Sequence, residues 1–473
     1  MITLLVNNKH VRIRDAKASD IRKLEVICSY MIAGAYFSRA FQNKVWDGRE
    51  HLLKYSTKHG YRAPIGLRED IENYFTEAGK KYRVKFSNKR KKPRHNIEYG
   101  WDESVVLRKY QNKAVKSITK GKFKGTGILM LPIRSGKTKT AARVIHDLKV
   151  TTLFIVPSTM LLHQTHKALE ETLCIKVGII GDEQNDIQDV TVITAQSLTV
   201  ARKRNDAAYK EFCEMFDLVI FDECHHLVAE GWHDAMMDID APYRIGLSAT
   251  AFLDSDSENE KGVIWLKACC GGIKSTITTS ELIDLGHLMK PDIQIYPIYE
   301  PDLNDQKWSQ SLRNEAIYEN EYRNNKIVHI VKREVKDNLK VLIVTNRISQ
   351  VGILSEMLDE AGIDHLTITG SDRGTVREER VDAFVSGMYP VLVGTVFAEG
   401  IDIPEIECVI NAEGGLDVKT TVQRMRNLTK MEGKTKAVFV DFADMTNSYF
   451  AKHSKERIKM YRSEPAFEVR IMK

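Results

Sequence analysis

Two short runs in this chain of 473 residues could bind and split a phosphate anhydride. The first is Leu131-Pro132-Ile133-Arg134-Ser135-Gly136-Lys137-Thr138, which follows an apolar run and precedes a helical pattern from Lys139 to about Leu148. Such a loop turns backbone N–H groups inward at a helix N-terminus, where phosphate is held. Ser135 and Gly136 would line it, Lys137 would neutralise β- and γ-phosphate oxygens, and Thr138 would offer its hydroxyl to Mg²⁺. Leu131 stands where the general pattern has its first Gly. The second run, Phe216 to His225, is an apolar stretch ending in Asp222-Glu223-Cys224-His225. A carboxylate at a strand end beside the phosphate loop can hold Mg²⁺ through water, which is Asp222, and a second can orient the attacking water, which is Glu223. Helix capping alone would explain Asp222 but not the four-residue run. The chemistry expected is ATP hydrolysis with Mg²⁺ as cofactor.

The elements that must position these residues are legible as short apolar runs separated by helical patterns. Gly127–Leu131, Thr152–Val156, Val190–Ile193, Leu218–Phe221 and Arg244–Leu247 read as buried strands in one region. Lys340–Val344, Val391–Gly394, Cys408–Ile410 and Ala437–Val440 repeat the pattern in another. Continuous apolar strands alternating with helices predict parallel sheets covered on both faces. The expected fold is α/β, with two tandem lobes of this kind after a small α+β N-terminal domain. The expected division is 1–100, 101–290 and 291–473.

At Asp222-Glu223-Cys224-His225 the chain resembles the helicases of superfamily 2, and the resemblance extends over most of the sequence from Leu107 onward. It implies two recA-like lobes and roles for further residues. Leu107-Arg108-Lys109-Tyr110-Gln111 is similar to the adenine-recognising element, with Arg108 and Gln111 on the base edge. Pro157 and Ser158, and then Thr194 and Gln196, fall in motifs that contact DNA. Ser248-Ala249-Thr250 resembles the motif that couples hydrolysis to lobe movement. Arg134 occupies a position where such helicases commonly have Gly. In the second lobe, Asn346 and Arg347, Gly370, and Thr395 lie in motifs implied to contact DNA, and Gly400 and Asp402 in one implied to contact the nucleotide. Gln423-Arg424-Met425-Arg426-Asn427-Leu428-Thr429-Lys430 resembles the last motif but lacks its usual Gly-Arg pair. With a one-residue gap Arg426 takes the finger position, with Arg424 second; without the gap, Asn427 falls there.

The first hundred residues give thinner signals. Phe41 to Leu53 reads as two strands around the Asp47-Gly48 turn, and Glu69 to about Ala78 as an amphipathic helix. The Trp46-Asp47-Gly48-Arg49 turn is similar to the N-terminal domain of phage UvsW-type helicases, which act on branched DNA. Trp46 could stack at a junction or simply pack the turn, and Arg49 could meet a phosphate. Nine Lys or Arg residues crowd the acid-free stretch Lys80–Arg94, which reads either as a phosphate-contacting segment or as a solvated basic linker.

Net charge is +6, seven cysteines are scattered without metal-ligand or disulfide spacing, and no stretch is apolar enough to span a membrane. The N-terminus lacks a secretory signal pattern. These features lead to an expectation of an intracellular, cytoplasmic protein, in the host cytoplasm if phage-encoded, with no membrane partner. The resemblance implies forked, branched or duplex DNA as partner and 3′→5′ movement. An RNA helicase, a duplex-DNA translocase without strand separation, and a non-hydrolysing nucleic-acid clamp stand as alternatives.

Overall fold

The runs His10–Arg14 and Tyr82–Phe86 alternate apolar and polar residues, so they join a sheet with one face in a core. In the computed structural model β1 (Ile2–Val6) and β2 (His10–Arg14) make an antiparallel hairpin, followed by α1 (Ala18–Ile27), β3 (Ser29–Met31), α2 (Arg39–Gln42) and β4 (Arg49–His51). Then come β5 (Lys54–Ser56), β6 (Gly60–Pro64), α3 (Arg68–Glu77) and β7 (Tyr82–Phe86). The sheet order is β5-β6-β2-β1-β7, and β7 runs parallel to β1. Leu4, Val6, Val11 and Ile13 face Ile21, Leu24, Ile71 and Phe75 in one buried cluster. The structure describes every residue except Lys89, Ile133, Asn205, Glu230, 250–259, Arg373, 396–402, 416–424, 426–428 and Lys473.

Two expectations for this region are corrected. Phe41–Trp46 is not the first strand of a hairpin. Ser38 caps α2 by accepting from Phe41 N at 3.2 Å, and β4 pairs with β3 instead. The hairpin reading failed because the strand partner of Arg49–His51 lies about twenty residues upstream, beyond the reach of a local turn rule. Nor is Lys80–Arg94 a linker. Its first part is β7, and its last part straps the N-terminal domain to the following lobe: Lys91 Nζ lies 2.7 Å from Asp217, and Arg94 donates to the same buried carboxylate.

The first lobe follows as α4 (Lys109–Thr119), β8 (Thr126–Met130), α5 (Lys137–Leu148), β9 (Thr152–Val156), α6 (Thr159–Leu173), β10 (Gly178–Gly181), β11 (Gln184–Asp186) and β12 (Val190–Thr194). It continues with α7 (Ala195–Arg204), α8 (Ala207–Met215), β13 (Leu218–Phe221), α9 (Trp232–Asp238), β14 (Tyr243–Ser248), α10 (Glu260–Cys270) and β15 (Ile273–Thr276). Their order is β11-β10-β12-β9-β13-β14-β8-β15. All neighbours pair in parallel except β10 and β11. All five expected strands of this lobe are present; β10, β11 and β15, with partly polar or Gly-containing sequences, were not anticipated.

The second lobe contains α11 (Thr279–Asp284), β16 (Asp292–Ile298), α12 (Gln310–Arg313), α13 (Glu321–Lys336), β17 (Val341–Val344), α14 (Ile348–Glu360), β18 (His365–Ile368), α15 (Gly374–Val385), β19 (Val391–Gly394), β20 (Cys408–Asn411) and β21 (Val438–Asp444). A helix over Ser448–Ser463 and β22 (Glu468–Ile471) complete it. The all-parallel order is β18-β19-β17-β20-β21-β16-β22. The chain forms two compact units, Met1–Ile277 and Thr278–Lys473. The passage just after Ile277 belongs with the second unit because Ser280 Oγ donates to Glu464 at 2.6 Å and accepts from Ala466 N. The fold is thus α/β, with two tandem recA-like lobes and a small α+β N-terminal domain. Among the described residues no helix is long and apolar enough to cross a membrane.

Candidate active site

In a parallel sheet the loops after every strand emerge at one edge, and that edge is where open α/β sheets bind ligands. Strands β9, β13, β14 and β8 are consecutive neighbours. Their carboxyl ends therefore gather Pro157 and Ser158, Asp222 and Glu223, Ser248 and Ala249, and the phosphate loop. Thr194 ends β12, next to β9.

The phosphate loop is held by its own backbone and by the start of α4. Gly136 (φ +76°) and Arg134 (φ +67°) both adopt left-handed backbone. A non-Gly residue there carries a modest steric cost, which accounts for a glycine preference at the Arg134 position. Ser135 is fully buried and its Oγ donates to Pro132 O at 2.6 Å. Gln111 Nε2 donates to Ser135 O at 2.8 Å, while Gln111 Oε1 accepts from Arg108 N at 2.7 Å. Tyr110 OH donates to the same Ser135 carbonyl at 2.7 Å and accepts from Arg108 at 3.1 Å. Gln111 thus braces the loop, and Gly136 must be Gly twice over, since a Cβ would lie 2.4 Å from the Gln111 amide. Tyr110 was passed over as a site residue; it lies inside the Arg108–Gln111 motif, and adjacency was the available signal.

Lys137 opens α5 with its side chain 13% exposed, and it forms an ion pair with Glu223. Burial works against the Lys137 charge, but the Glu223 and Asp222 carboxylates outweigh it and hold the ammonium above its usual range. Burial pushes the Asp222 carboxyl up to about 6 against the pull of Lys137. Burial opposes ionisation of Glu223 too, yet Lys137 and then His225 prevail and keep Glu223 ionised well below the ordinary carboxylate range. Glu223 takes a left-handed φ of +46°, and its Oε2 is buried without a hydrogen bond among the described residues. His225 Nδ1 lies 3.4 Å from Glu223 Oε2 and 3.1 Å from Ser248 Oγ. One polar chain therefore links Lys137, Glu223, His225 and Ser248. His225 is the second residue that sequence reasoning gave no role. Thr138 is partly exposed beside Lys137, and Ala249 follows Ser248; Thr250 lies outside the described residues.

Pro157 and Ser158 are partly exposed, and Ser158 Oγ caps α6 by accepting from Leu161 N at 3.4 Å. Thr194 is buried and accepts from Ser197 N at 3.1 Å, whereas Gln196 is exposed. In the N-terminal domain Trp46 Nε1 donates to Arg49 O at 3.1 Å and staples the turn. The Arg49 guanidinium donates to Ser29 Oγ at 2.7 Å and to Glu260 at 3.1 Å. It is held by protein partners where a phosphate contact was expected.

In the second unit, Gly370, Thr395 and Asn346 follow β18, β19 and β17, three neighbouring strands, so they share one edge. Asn346 donates to Glu413, Arg377 donates to Gly370 O at 2.7 Å, and the Arg347 guanidinium sits 5.5 Å from the Tyr318 ring centroid. Gly400, Asp402, Arg424 and Arg426 lie outside the described residues; Met425 between the two arginines is buried. A buried charge network was not foreseen. Arg457 pairs with Asp441 at 2.8 Å and donates to Gly415 O at 2.6 Å, and Arg323 pairs with Asp444 and donates to Ala412 O at 2.7 Å. Both arginines thereby hold the chain that leads from β20 towards the Gln423–Lys430 motif.

Two family models match. Residues 104–253 match the type III restriction enzyme res subunit, and residues 323–431 match the helicase conserved C-terminal domain. Together they span more than half of the chain. A DNA 3′-5′ translocase XPB2 of Sulfurisphaera tokodaii is 28% identical over 373 residues, covering 70% of this chain and 80% of that protein. The type ISP restriction-modification enzyme LlaBIII bound to DNA shares the fold at a TM-score of 0.59 and 15% identity, over 85% of this chain and 34% of that one. T4 UvsW aligns over 99% of this chain and 98% of its own at 20% identity, with a TM-score of only 0.44. With a phosphate loop braced against an Asp-Glu pair in one lobe and both halves of the motor matched in order, the chain belongs to helicase superfamily 2, whose members hydrolyse ATP to work on nucleic acid.

Proposed function

We propose that this protein is an ATP-dependent DNA helicase that unwinds or branch-migrates forked or branched DNA, moving 3′→5′, in replication, recombination or repair. The observation that carries the catalytic part is the partly buried chain Lys137–Glu223–His225–Ser248 at one sheet edge. Lys137 binds the phosphates of ATP, and its pairing with Glu223 keeps that carboxylate ionised. Glu223, whose Oε2 is buried 3.4 Å from His225 Nδ1, orients the attacking water. The residues fit Mg²⁺: Thr138 and Asp222 would hold it, and bound metal would neutralise charge on the β- and γ-phosphates. His225 and Ser248 relay the state of Glu223 to the Ser248–Thr250 segment. Arg426, with Arg424 second, is the arginine proposed to meet developing phosphate charge.

DNA and the 3′→5′ direction are supported by the translocase relative. The branched substrate is supported by the likeness of the Trp46–Arg49 turn to UvsW-type helicases, with Trp46 the proposed junction contact. Pro157, Ser158, Gln196, Asn346, Arg347, Gly370 and Thr395 are the proposed contacts to the tracked strand. A cytoplasmic site of action goes with this reading. The test is strand displacement on 3′-tailed, 5′-tailed, forked and four-way DNA and on matched RNA, with ATP turnover recorded on each. Displacement confined to 5′-tailed DNA or to RNA would overturn direction or substrate; turnover without displacement would favour a duplex translocase.

A further inference from the structure

The N-terminal sheet has two unlike faces. One packs on α1 and α3. The other carries, in a single register row across all five strands, Lys54, Arg62, Arg12, Leu5 and Lys85. The next row adds Arg14, Thr3 and Arg83. Arg12 and Arg62 are directly opposed on antiparallel strands. Like charges in that relation destabilise a sheet. Lys54 pairs with Glu50, and Arg83 donates to Thr3, but the side chains of Arg12, Arg14, Arg62 and Lys85 have no ion-pair or hydrogen-bond partner among the described residues. Beside this face opens a cavity of ≈ 570 Å³ lined by Lys9, His10, Arg12, Lys58, His59 and Arg90, with one acid, Asp240. Burial pushes His10 down to about 4, and Arg62, Arg12 and Lys9 add to the shift.

We infer that this open sheet face, centred on Arg12, Arg14, Arg62 and Lys85, is a docking surface for the phosphate backbone of a DNA duplex. The inference rests on the reading of the chain as a motor on DNA and adds where a duplex arm is held. Five strands at about 4.8 Å spacing make a face roughly 19 Å wide, and duplex DNA presents one phosphate per ~1.7 Å of axis. Neither row holds an aromatic side chain, so the face lacks the stacking platform that single strands use. A polyanion also removes the repulsion that the Arg12–Arg62 pairing imposes on the free protein.

The test uses the full chain without nucleotide. Arg12, Arg14, Arg62 and Lys85 are changed together to Ser, and binding of a blunt duplex of about 20 base pairs is titrated from about 50 to 200 mM salt. The variant should bind about 10-fold or more weakly at the lower salt, and the log–log slope should be shallower by about 0.9 for each lost phosphate contact. Its melting temperature should stay level or rise, and ATP turnover at saturating single strand should be unchanged. As a second variant, Arg62→Glu places a carboxylate opposite Arg12; it should raise the melting temperature while weakening duplex binding. Unchanged affinity and slope in folded variants would overturn the assignment, as would loss of binding to polyglutamate with duplex binding intact. Failure of the motor reading would appear separately, as wild-type protein that does not hydrolyse ATP on DNA.

Discussion

Lys137 is gripped by Glu223, and the roles of the two separate under substitution. Lys137→Ala should abolish ATP hydrolysis by weakening phosphate binding. Glu223→Gln should abolish turnover yet retain ATP binding, because only water orientation is lost. Nucleotide binding followed with a fluorescent analogue, beside single-turnover hydrolysis, checks both; near-normal turnover in Glu223→Gln would remove its assigned role. The last motif offers a second prediction at this scale. A guanidinium can chelate developing phosphate charge, whereas an ammonium is a point charge. Arg426→Ala should therefore cost roughly 10³-fold in turnover, with a smaller loss for Arg424→Ala. A larger loss in Lys430→Ala would show that the ungapped alignment is the better one.

At the scale of elements, the second unit depends on ion pairs inside its sheet. Arg457 and Asp444 are fully buried, and Arg457 pairs with Asp441 at 2.8 Å. Breaking a buried pair leaves uncompensated charge and costs about 3–5 kcal/mol. Arg457→Ala should lower the melting temperature by about 10 °C in a unit of this size. Because Arg457 also holds Gly415 O, turnover should fall even at temperatures where the variant stays folded. Circular dichroism melting alongside hydrolysis at low temperature measures the two effects, and a stable variant with full turnover would contradict both.

For the molecule as a whole, the N-terminal domain is no detachable module. Ile264 and Ala268 of α10 belong to its buried cluster, and Lys267 pairs with Asp70 and Lys274 with Glu69. A Cβ on Gly66 would lie 2.0 Å from Lys267 O and 2.6 Å from Ala268 O. Both are backbone atoms and cannot swing aside, so Gly66→Ala should cost about 2 kcal/mol or more. Removing residues 1–94 should destabilise the first lobe rather than leave it intact, since it uncovers Ile264, Trp265 and Ala268. Hydrogen exchange across α10 reports this: protection there should drop in both variants. Unaltered protection would show that the domain can be removed freely.

The parallel sheets and the turn from β8 into α5 were legible in the chain itself because their signals are local. Thr152–Val156 and Leu218–Phe221 are continuous apolar runs, and a strand buried on both faces needs nothing more to declare itself. Lys137, Asp222 and Glu223 likewise sit where a strand end and a helix start put them. Other features depend on partners distant in sequence. Arg49 reads as a free cation until Glu260 closes on it, and Lys91 and Arg94 read as a basic run until Asp217 lies beneath them. The row Lys54–Arg62–Arg12–Leu5–Lys85 exists only once strand order and register are set. Periodicity tells which residues share a face of one strand, but only the pairing of strands decides which charges stand opposite one another, and that pairing is a long-range choice made by the core.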